Sequence, residues 1–361
     1  MAEKLRAGIL GATGMVGQRL ITLLADHPYF RISLLAASGR SAGQTYEHAV
    51  EGRWKLGEPM PDSVRGMTVA DASKIEEIKP FVDFVFCAVN MPKEEIRALE
   101  EAYAKAEIPV VSNNSAHRWT PDVPMLIPEI NADHVRVIPF QKERLHTEKG
   151  FIAVKPNCSI QSFVPALTPL MPFGIEAVTV TTLQAISGAG KTFADFPDIL
   201  DNVIPLIPGE EEKTEREPLK IWGRLEDGKI LPMEGIRISS TCTRVPALDG
   251  HMAVVSVKFG RKPEREQILE AWENYRGCAA GWNPGLPSAP GRFLRYMEEA
   301  DRPQTRLDRD FEHGMGITVG RLREDPVMDY KFVCLSHNTL RGAAGGGVLS
   351  AELLFREGFL Y

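Results

Sequence analysis

The stretch GILGATGMVGQRLITLL, residues 8–24, limits what this chain can become more than any other. An apolar, strand-like run stops at Gly11, the chain turns through Gly14 and Gly17 at three-residue spacing, and an amphipathic, helix-like run follows. Strand, glycine turn and helix in direct succession define a βα unit. Glycine is needed where backbone must turn tightly and approach a pyrophosphate held by amide groups at a helix N-terminus. The spacing GxxGxxG departs from the commoner GxGxxG, so its context carries the dinucleotide reading.

The same alternation continues through RISLLAAS, DFVFCAV, KEEIRALEEAYAKA and IPVVSNNS. It predicts a parallel sheet with crossover helices, and Ile96, Leu99 and Tyr103 mark the buried side of one of them. After about residue 155 the texture changes to longer runs rich in Val, Ile and Thr, such as EAVTVTTLQAIS, GIRISSTCTRVP and HMAVVSVKFG. These predict a larger mixed or antiparallel sheet. PEREQILEAWENYRG predicts a helix with Pro263 near its start and Gly277 after it, followed by a loop over 281–292. The end of the chain, HNTLRGAAGGGVLSAELLFREGFLY, predicts a glycine-rich turn opening an apolar helix.

With 361 residues, two domains are expected. The five cysteines, Cys87, Cys158, Cys242, Cys278 and Cys334, are scattered, with no spacing that suits zinc, and fit a reducing compartment. MAEKLRAGILGATG lacks the pattern of a signal peptide, and no run reaches the length of a membrane span. A soluble cytoplasmic protein is the expectation. A net charge of −6 argues against nucleic acid as a partner while allowing local basic pockets for small anions.

The second strand ends in Ser38, Gly39, Arg40 and Ser41 where an acid would bind the ribose of NAD, and an arginine between serines suits a 2′-phosphate. NADP(H) is therefore the expected cofactor. AISGAGKT at 185–192 nearly matches a phosphate loop, but Ala185 replaces its first glycine, and a turn near cofactor is the preferred reading. In AVKPNCSIQSF, the sequence predicts that Cys158 stands at the start of a helix, which would lower its pKa and make it a nucleophile. On local sequence alone an unpaired cysteine is more often a packed core thiol. Arg244 and His251, at the two ends of a loop between strands, supply a carboxylate clamp and a proton carrier.

Together, GATGMVGQR, SGRSAGQ, SNNSAHR, KPNCSIQ, TLQAISGAGK, GEEEKTEREPLKI, RVPALDGH and HNTLRGAAGGGVLSAEL resemble the aspartate-β-semialdehyde dehydrogenases, particularly the branch of archaea and fungi. The resemblance covers nearly the whole chain. It implies an α/β fold: a Rossmann-type NADP-binding domain over 1–156, completed by 339–361, and an α+β catalytic and dimerisation domain with a large mixed sheet over 157–338. The implied partners are a small-molecule substrate and inorganic phosphate, with the chain a homodimer or homotetramer.

The resemblance also implies a chemistry in which Cys158 attacks L-aspartyl-4-phosphate, phosphate leaves, and the thioester is reduced by NADPH. His251 resembles the acid/base and Gln184 the residue orienting the acyl group. Arg244 resembles the grip on the α-carboxylate, with Glu210, or its neighbour Glu211, facing the α-ammonium. Arg118, Asn113, Asn157 and Lys213 resemble the phosphate-receiving group, although GEEEKTERE also suits a solvated charged helix. Around the cofactor stand Gly11, Thr13, Gly14, Met15, Val16 and Gly17 at the pyrophosphate, and Ser38, Arg40 and Ser41 at the 2′-phosphate. Asn90, Ser187, Gly188 and Asn338 complete the set toward nicotinamide. Malonyl-CoA reductase is the nearest rival reading, N-acetyl-γ-glutamyl-phosphate reductase a more distant one, and a non-catalytic NADP-binding regulator the reading from a different class.

Overall fold

A computed structural model describes residues 3–277 and 285–361. Cys278 and the first part of the expected 281–292 loop lie outside the described residues. The first half forms β1 (Leu5–Leu10), α1 (Met15–Leu24), β2 (Phe30–Ala37), β3 (Val69–Asp71), β4 (Phe84–Cys87), α2 (Lys93–Lys105), β5 (Val110–Ser112) and β6 (Ile152–Val154). These six strands make one parallel sheet in the order β3-β2-β1-β4-β5-β6. Strand order reverses between β1 and β4, which opens a crevice at their carboxyl ends, where ligands of such sheets bind.

The glycine turn sits at that crevice, and its three glycines do different work. Gly11 has φ +84°, and a Cβ there would lie 2.3 Å from the Ala88 carbonyl oxygen after β4. A Cβ on Gly17 would lie 2.3 Å from the Gly11 oxygen, so Gly17 lets α1 pack against its own turn. Gly14 is exposed, facing the crevice. On α2, Ile96 and Tyr103 are buried and Leu99 is half-buried, which matches the helical spacing of the sequence.

A second six-stranded sheet is built from β7 (Ile175–Gln184), β10 (Arg237–Arg244), β11 (His251–Phe259), β12 (Leu294–Met297), β13 (Ile317–Glu324) and β14 (Tyr330–Ser336), in the order β10-β7-β11-β14-β13-β12. It is mixed, with β10 parallel to β7, β12 parallel to β13 and the other neighbours antiparallel. A short hairpin, β8 (Arg224–Glu226) with β9 (Lys229–Leu231), stands apart from it. Three further helices matter below: α3 (Glu210–Ile221), α4 (Arg265–Asn274) and α5 (Ala344–Arg356).

As expected, Pro263 lies near the start of α4, where Glu264 caps the helix and Gln267 Oε1 accepts from the Glu264 N–H at 2.9 Å. One helix start differs from expectation. Cys158 opens only a 3₁₀ turn, Ser159–Gln161, followed by the short helix Phe163–Leu167. Pro165, Pro169 and Pro172 each remove a donor N–H from this segment, so no long helix forms.

Helix α5 returns the chain to the first sheet. Its Val348, Leu349 and Leu353 share one apolar cluster with Leu20, Ile21 and Leu24 of α1. The return is locked by a buried ion pair in which Arg341 Nη1 and Nη2 donate to the Glu129 oxygens at 2.9 and 2.6 Å, while Nε donates to the Met315 carbonyl at 2.8 Å. Arg341→Met should cost roughly 3–5 kcal/mol in urea unfolding, since it strands a buried carboxylate. Adding Glu129→Leu should recover most of that loss.

Candidate functional site

The register of the second sheet gathers functional groups at one edge. Gln184 ends β7 and pairs with Arg244, which ends β10; His251 begins antiparallel β11 opposite Ser336 of β14. Asn338 follows directly, its Oδ1 accepting from the Gly250 N–H at 2.8 Å and its Nδ2 donating to Ser187 Oγ at 2.7 Å. The loop after β6 brings half-buried Cys158 to the same edge, with Sγ 3.4 Å from His251 Nε2. A Cβ on Gly188 would come within 3.0 Å of the His251 ring and 3.1 Å of Arg244 Nη1, so any side chain there would have to displace one of them slightly. The 185–192 segment runs on into a 3₁₀ turn, Ile186–Ala189, not an α-helix, so it lacks the architecture of a phosphate loop.

A cavity of about 700 Å³ runs along this edge. Cys158, Asn157, Asn113, Arg118, Glu210 and Lys213 line it on one side. Gly14, Met15, Val16 and Asn90 line it from segments that follow strands of the first sheet, and Ser187, Gly188 and Asn338 from segments that follow strands of the second. A second lobe of about 440 Å³ shares Gly14, Ala88 and Asn90 and extends past Gly11 and Thr13 to Ser38 and Arg40. Six residues expected at the site stand outside these linings. His251, Gln184 and Arg244 are buried directly behind Cys158 and Gly188, Gly17 lies beneath the turn, and Ser41 is buried with its N–H on the Ser38 carbonyl. Glu211 turns the other way, accepting from the Cys242 N–H at 3.1 Å.

The chain's own groups suit a dinucleotide. Helix α1 has no side-chain cap, and its N-terminal residues Met15 and Val16 line the cavity with Gly14, whose own N–H is bonded to the Gly11 carbonyl at 3.1 Å. Gln18 Nε2 and Tyr46 Oη hold the Thr13 and Ala12 carbonyls at 3.1 and 2.9 Å, which fixes the turn before any ligand arrives.

Electrostatics around sulfur differ from the sequence expectation. Burial and the nearby Glu210 carboxylate push the Cys158 thiol up to about 11, while Lys155, Arg118 and Arg244 pull it down. With only a 3₁₀ turn behind it, the cysteine lacks the helix dipole that would have lowered its pKa. Burial and the cations Arg244 and Lys155 hold His251 well below its ordinary value, so the ring is neutral. Its Nδ1 accepts from the Ala185 N–H at 3.0 Å, which assigns the ring proton to Nε2, on the side of Sγ. In this tautomer the imidazole donates toward sulfur or a substrate oxygen. Accepting the thiol proton requires Nδ1 to give up Ala185.

Two buried groups that sequence reading passed over, Glu217 and Lys155, complete the frame. Glu217 accepts from Arg118 Nη1 at 2.9 Å and from the Asn157 N–H at 2.7 Å. Its seven-residue offset from Glu210 on α3, with Thr214 between them, was the available signal, since those positions share one helix face. Arg118 also donates to the Lys155 and Asn113 carbonyls at 3.0 and 3.2 Å, leaving two of its five N–H groups for a ligand. Lys155 is buried, its Nζ donating to the Pro156 carbonyl at 2.6 Å, and burial pushes its ammonium down to about 7. Glu210 accepts from Gln184 Nε2 and pairs with Lys213, each at 3.3 Å.

The chain is similar to known proteins along nearly its whole length. The semialdehyde dehydrogenase NAD binding domain model matches residues 6–138, and the semialdehyde dehydrogenase dimerisation domain model matches residues 167–341. The chain belongs to the aspartate-semialdehyde dehydrogenase family. The aspartate-semialdehyde dehydrogenase of Archaeoglobus fulgidus is 42% identical, over 97% of this chain and 98% of its own. That of Saccharomyces cerevisiae is 43% identical over the full length of both. Among solved structures, the Candida albicans aspartate semialdehyde dehydrogenase with NADP superposes with a TM-score of 0.87 at 38% identity, covering 99% of this chain and 100% of its own. The relatives' names favour neither a malonyl-CoA reductase nor a regulatory binder.

The pKa directions generate a measurable pH profile. Alkylation of Cys158 in the free protein, followed by peptide mapping, should quicken about tenfold per pH unit past the ordinary thiol range near 8.5, toward about 11. Glu210→Gln removes a like charge and should shift the profile to lower pH, whereas Arg244→Met removes a cation and should shift it upward. A wild-type plateau in the ordinary thiol range would contradict this account.

Proposed function

We propose that Cys158 is the nucleophile of a phosphorylating, NADP-dependent aldehyde oxidoreductase acting on L-aspartyl-4-phosphate and, in reverse, on L-aspartate-4-semialdehyde. The carrying observation is the 3.4 Å approach of Cys158 Sγ to His251 Nε2 inside a cavity that continues to the glycine turn. The Cys158 sulfur bonds to the acyl carbon as its thiol proton passes to the departing phosphate, and the carbon–oxygen bond to phosphate breaks with the electron pair leaving on phosphate. When bound, NADPH supplies the hydride that reduces the enzyme thioester. The sulfur–carbon bond then breaks, returning the aldehyde and the Cys158 thiolate.

His251 is the acid/base group. From its resting tautomer the Nε2–H stabilises negative charge on sulfur or on the substrate oxygen. Gln184, held by Glu210, orients the acyl group. Arg244 takes the α-carboxylate, and Glu210, the acid that lines the cavity, takes the α-ammonium. Arg118, Asn113, Asn157 and Lys213 receive phosphate, with the Asn113 amide oxygen and nitrogen both buried without a hydrogen-bond partner. Gly11 to Val16 hold the pyrophosphate, Ser38 and Arg40 the 2′-phosphate, and Asn90, Ser187, Gly188 and Asn338 the nicotinamide end. Gly17, Ser41 and Glu211 shape these groups from behind.

In this reading residues 1–156 with 339–361 form the cofactor domain, and 157–338 the catalytic and dimerisation domain. The exposed face of the second sheet supports self-association as a dimer or a dimer of dimers. Thr179, Thr181, Ser239, Thr241 and Val254 share that face in register. Among the described residues no helix is long and apolar enough to cross a membrane, which is compatible with a cytoplasmic enzyme.

Incubation with L-aspartate-4-semialdehyde, NADP⁺ and inorganic phosphate should produce reduced-nicotinamide absorbance that depends on phosphate and vanishes in Cys158→Ala. A folded protein that binds NADPH but gives no signal would overturn the semialdehyde assignment.

A further inference from the structure

The adenosine end of the groove contains an acid that the second strand itself lacks. Where a βαβ unit commonly places a carboxylate at the end of its second strand, this chain has Ser38, Gly39 and Arg40. The parallel register Ala37↔Asp71 puts an acid at the end of the adjacent strand β3 instead. Asp71, Ser38, Gly39 and Arg40 line the same 440 Å³ lobe.

The two Asp71 oxygens are not equivalent. Oδ1 accepts from the Ser73 N–H at 3.0 Å and from Ser73 Oγ at 2.8 Å, which fixes the carboxylate and holds its pKa below the ordinary range. Oδ2 faces the 38–41 turn, 3.4 Å from where a Cβ on Gly39 would stand. Lys74 is the near cation on Asp71's own segment, and it pairs with Glu77 at 3.2 Å. The Arg40 guanidinium is exposed and makes no hydrogen bond or ion pair among the described residues. One lobe thus offers an unengaged cation and a fixed anion to the same ligand.

We propose that Asp71 sets the dinucleotide preference of this chain: its Oδ2 accepts a hydrogen bond from an adenosine ribose hydroxyl and opposes a 2′-phosphate, so that NADH binds alongside NADPH. The inference rests on the dinucleotide reading of the groove. Arg40 pulls the other way, because a guanidinium attracts the phosphate dianion and has nothing to accept from it. A carboxylate takes a hydroxyl donor readily but repels a phosphate placed beside it. With both groups in one lobe, neither cofactor form receives a site shaped for it alone.

The test titrates NADPH and NADH separately into the full-length protein, and then the fragments adenosine 2′,5′-bisphosphate and 5′-AMP, following intrinsic fluorescence or heat. None of these readings needs turnover. Asp71→Asn should tighten NADPH and the bisphosphate and weaken NADH and 5′-AMP, each by roughly threefold to tenfold. Arg40→Gln should move both pairs in the opposite direction. Asp71→Ala, which also removes the Ser73 bonds, serves as a second variant with the same expected sign on the phosphate-bearing ligands. Equal shifts for both cofactors, or none, would overturn the role of Asp71. A wild-type protein that binds no dinucleotide would overturn the groove reading itself, whereas dinucleotide binding without semialdehyde oxidation would leave the inference standing and sink only the substrate assignment.

Discussion

The buried Glu217 carboxylate is the contact on which the arrangement of the site depends. One oxygen takes Arg118 from the loop after β5, the other takes the Asn157 N–H in the loop after β6, and the helix bearing it packs on β10. The residue before Cys158 is thereby tied to both sheets at once. An ion pair shielded from water holds its geometry far better than a surface pair, and removing either partner leaves a charge without compensation. Arg118 extends the lock by donating to the Lys155 and Asn113 carbonyls, just past the ends of β6 and β5.

This frame explains how a reactive group can rest in an unreactive state. Cys158 lies among Lys155, Arg118 and Arg244, yet burial and Glu210 outweigh them and keep the thiol protonated. The same burial keeps His251 neutral, and the Ala185 N–H decides which of its nitrogens faces sulfur. Positive charge is close but held in reserve by hydrogen bonds to carbonyls, such as those of Lys155 to Pro156 and of Arg244 to Ala185. The balance at sulfur is therefore open to change by any charged ligand that enters the cavity.

Much of the fold was legible in the sequence because periodicity reports burial directly. The strands of the first sheet, helix α2 and the valine-rich strands of the second sheet follow from apolar spacing, and Gly11 from the need for a left-handed backbone. Motif residues such as Cys158, His251, Gln184 and Arg244 were also legible, and the register of three neighbouring strands brings the last three to one edge. Glu217, Lys155 and Asp71 were not. Their neighbours are distant in sequence, and a charged residue in a helix or at a strand end looks the same whether it meets water or a buried partner. The helix expected after Cys158 is cut short for a local reason, since Pro165, Pro169 and Pro172 each remove a donor N–H.

What the sequence determined alone was the kind of elements and their order: a βα unit with a glycine turn, further parallel strands, then a mixed sheet with a cysteine, a histidine and an arginine placed at loop boundaries. These follow from backbone sterics and hydrophobic spacing, which act over a few residues. Tertiary structure decided the protonation of Cys158, the tautomer of His251, which of Glu210 and Glu211 faces the cavity, and which strand supplies the acid beside Arg40. Charge and hydrogen-bond energies depend on distance and on exclusion of water, and only the folded chain sets either of them.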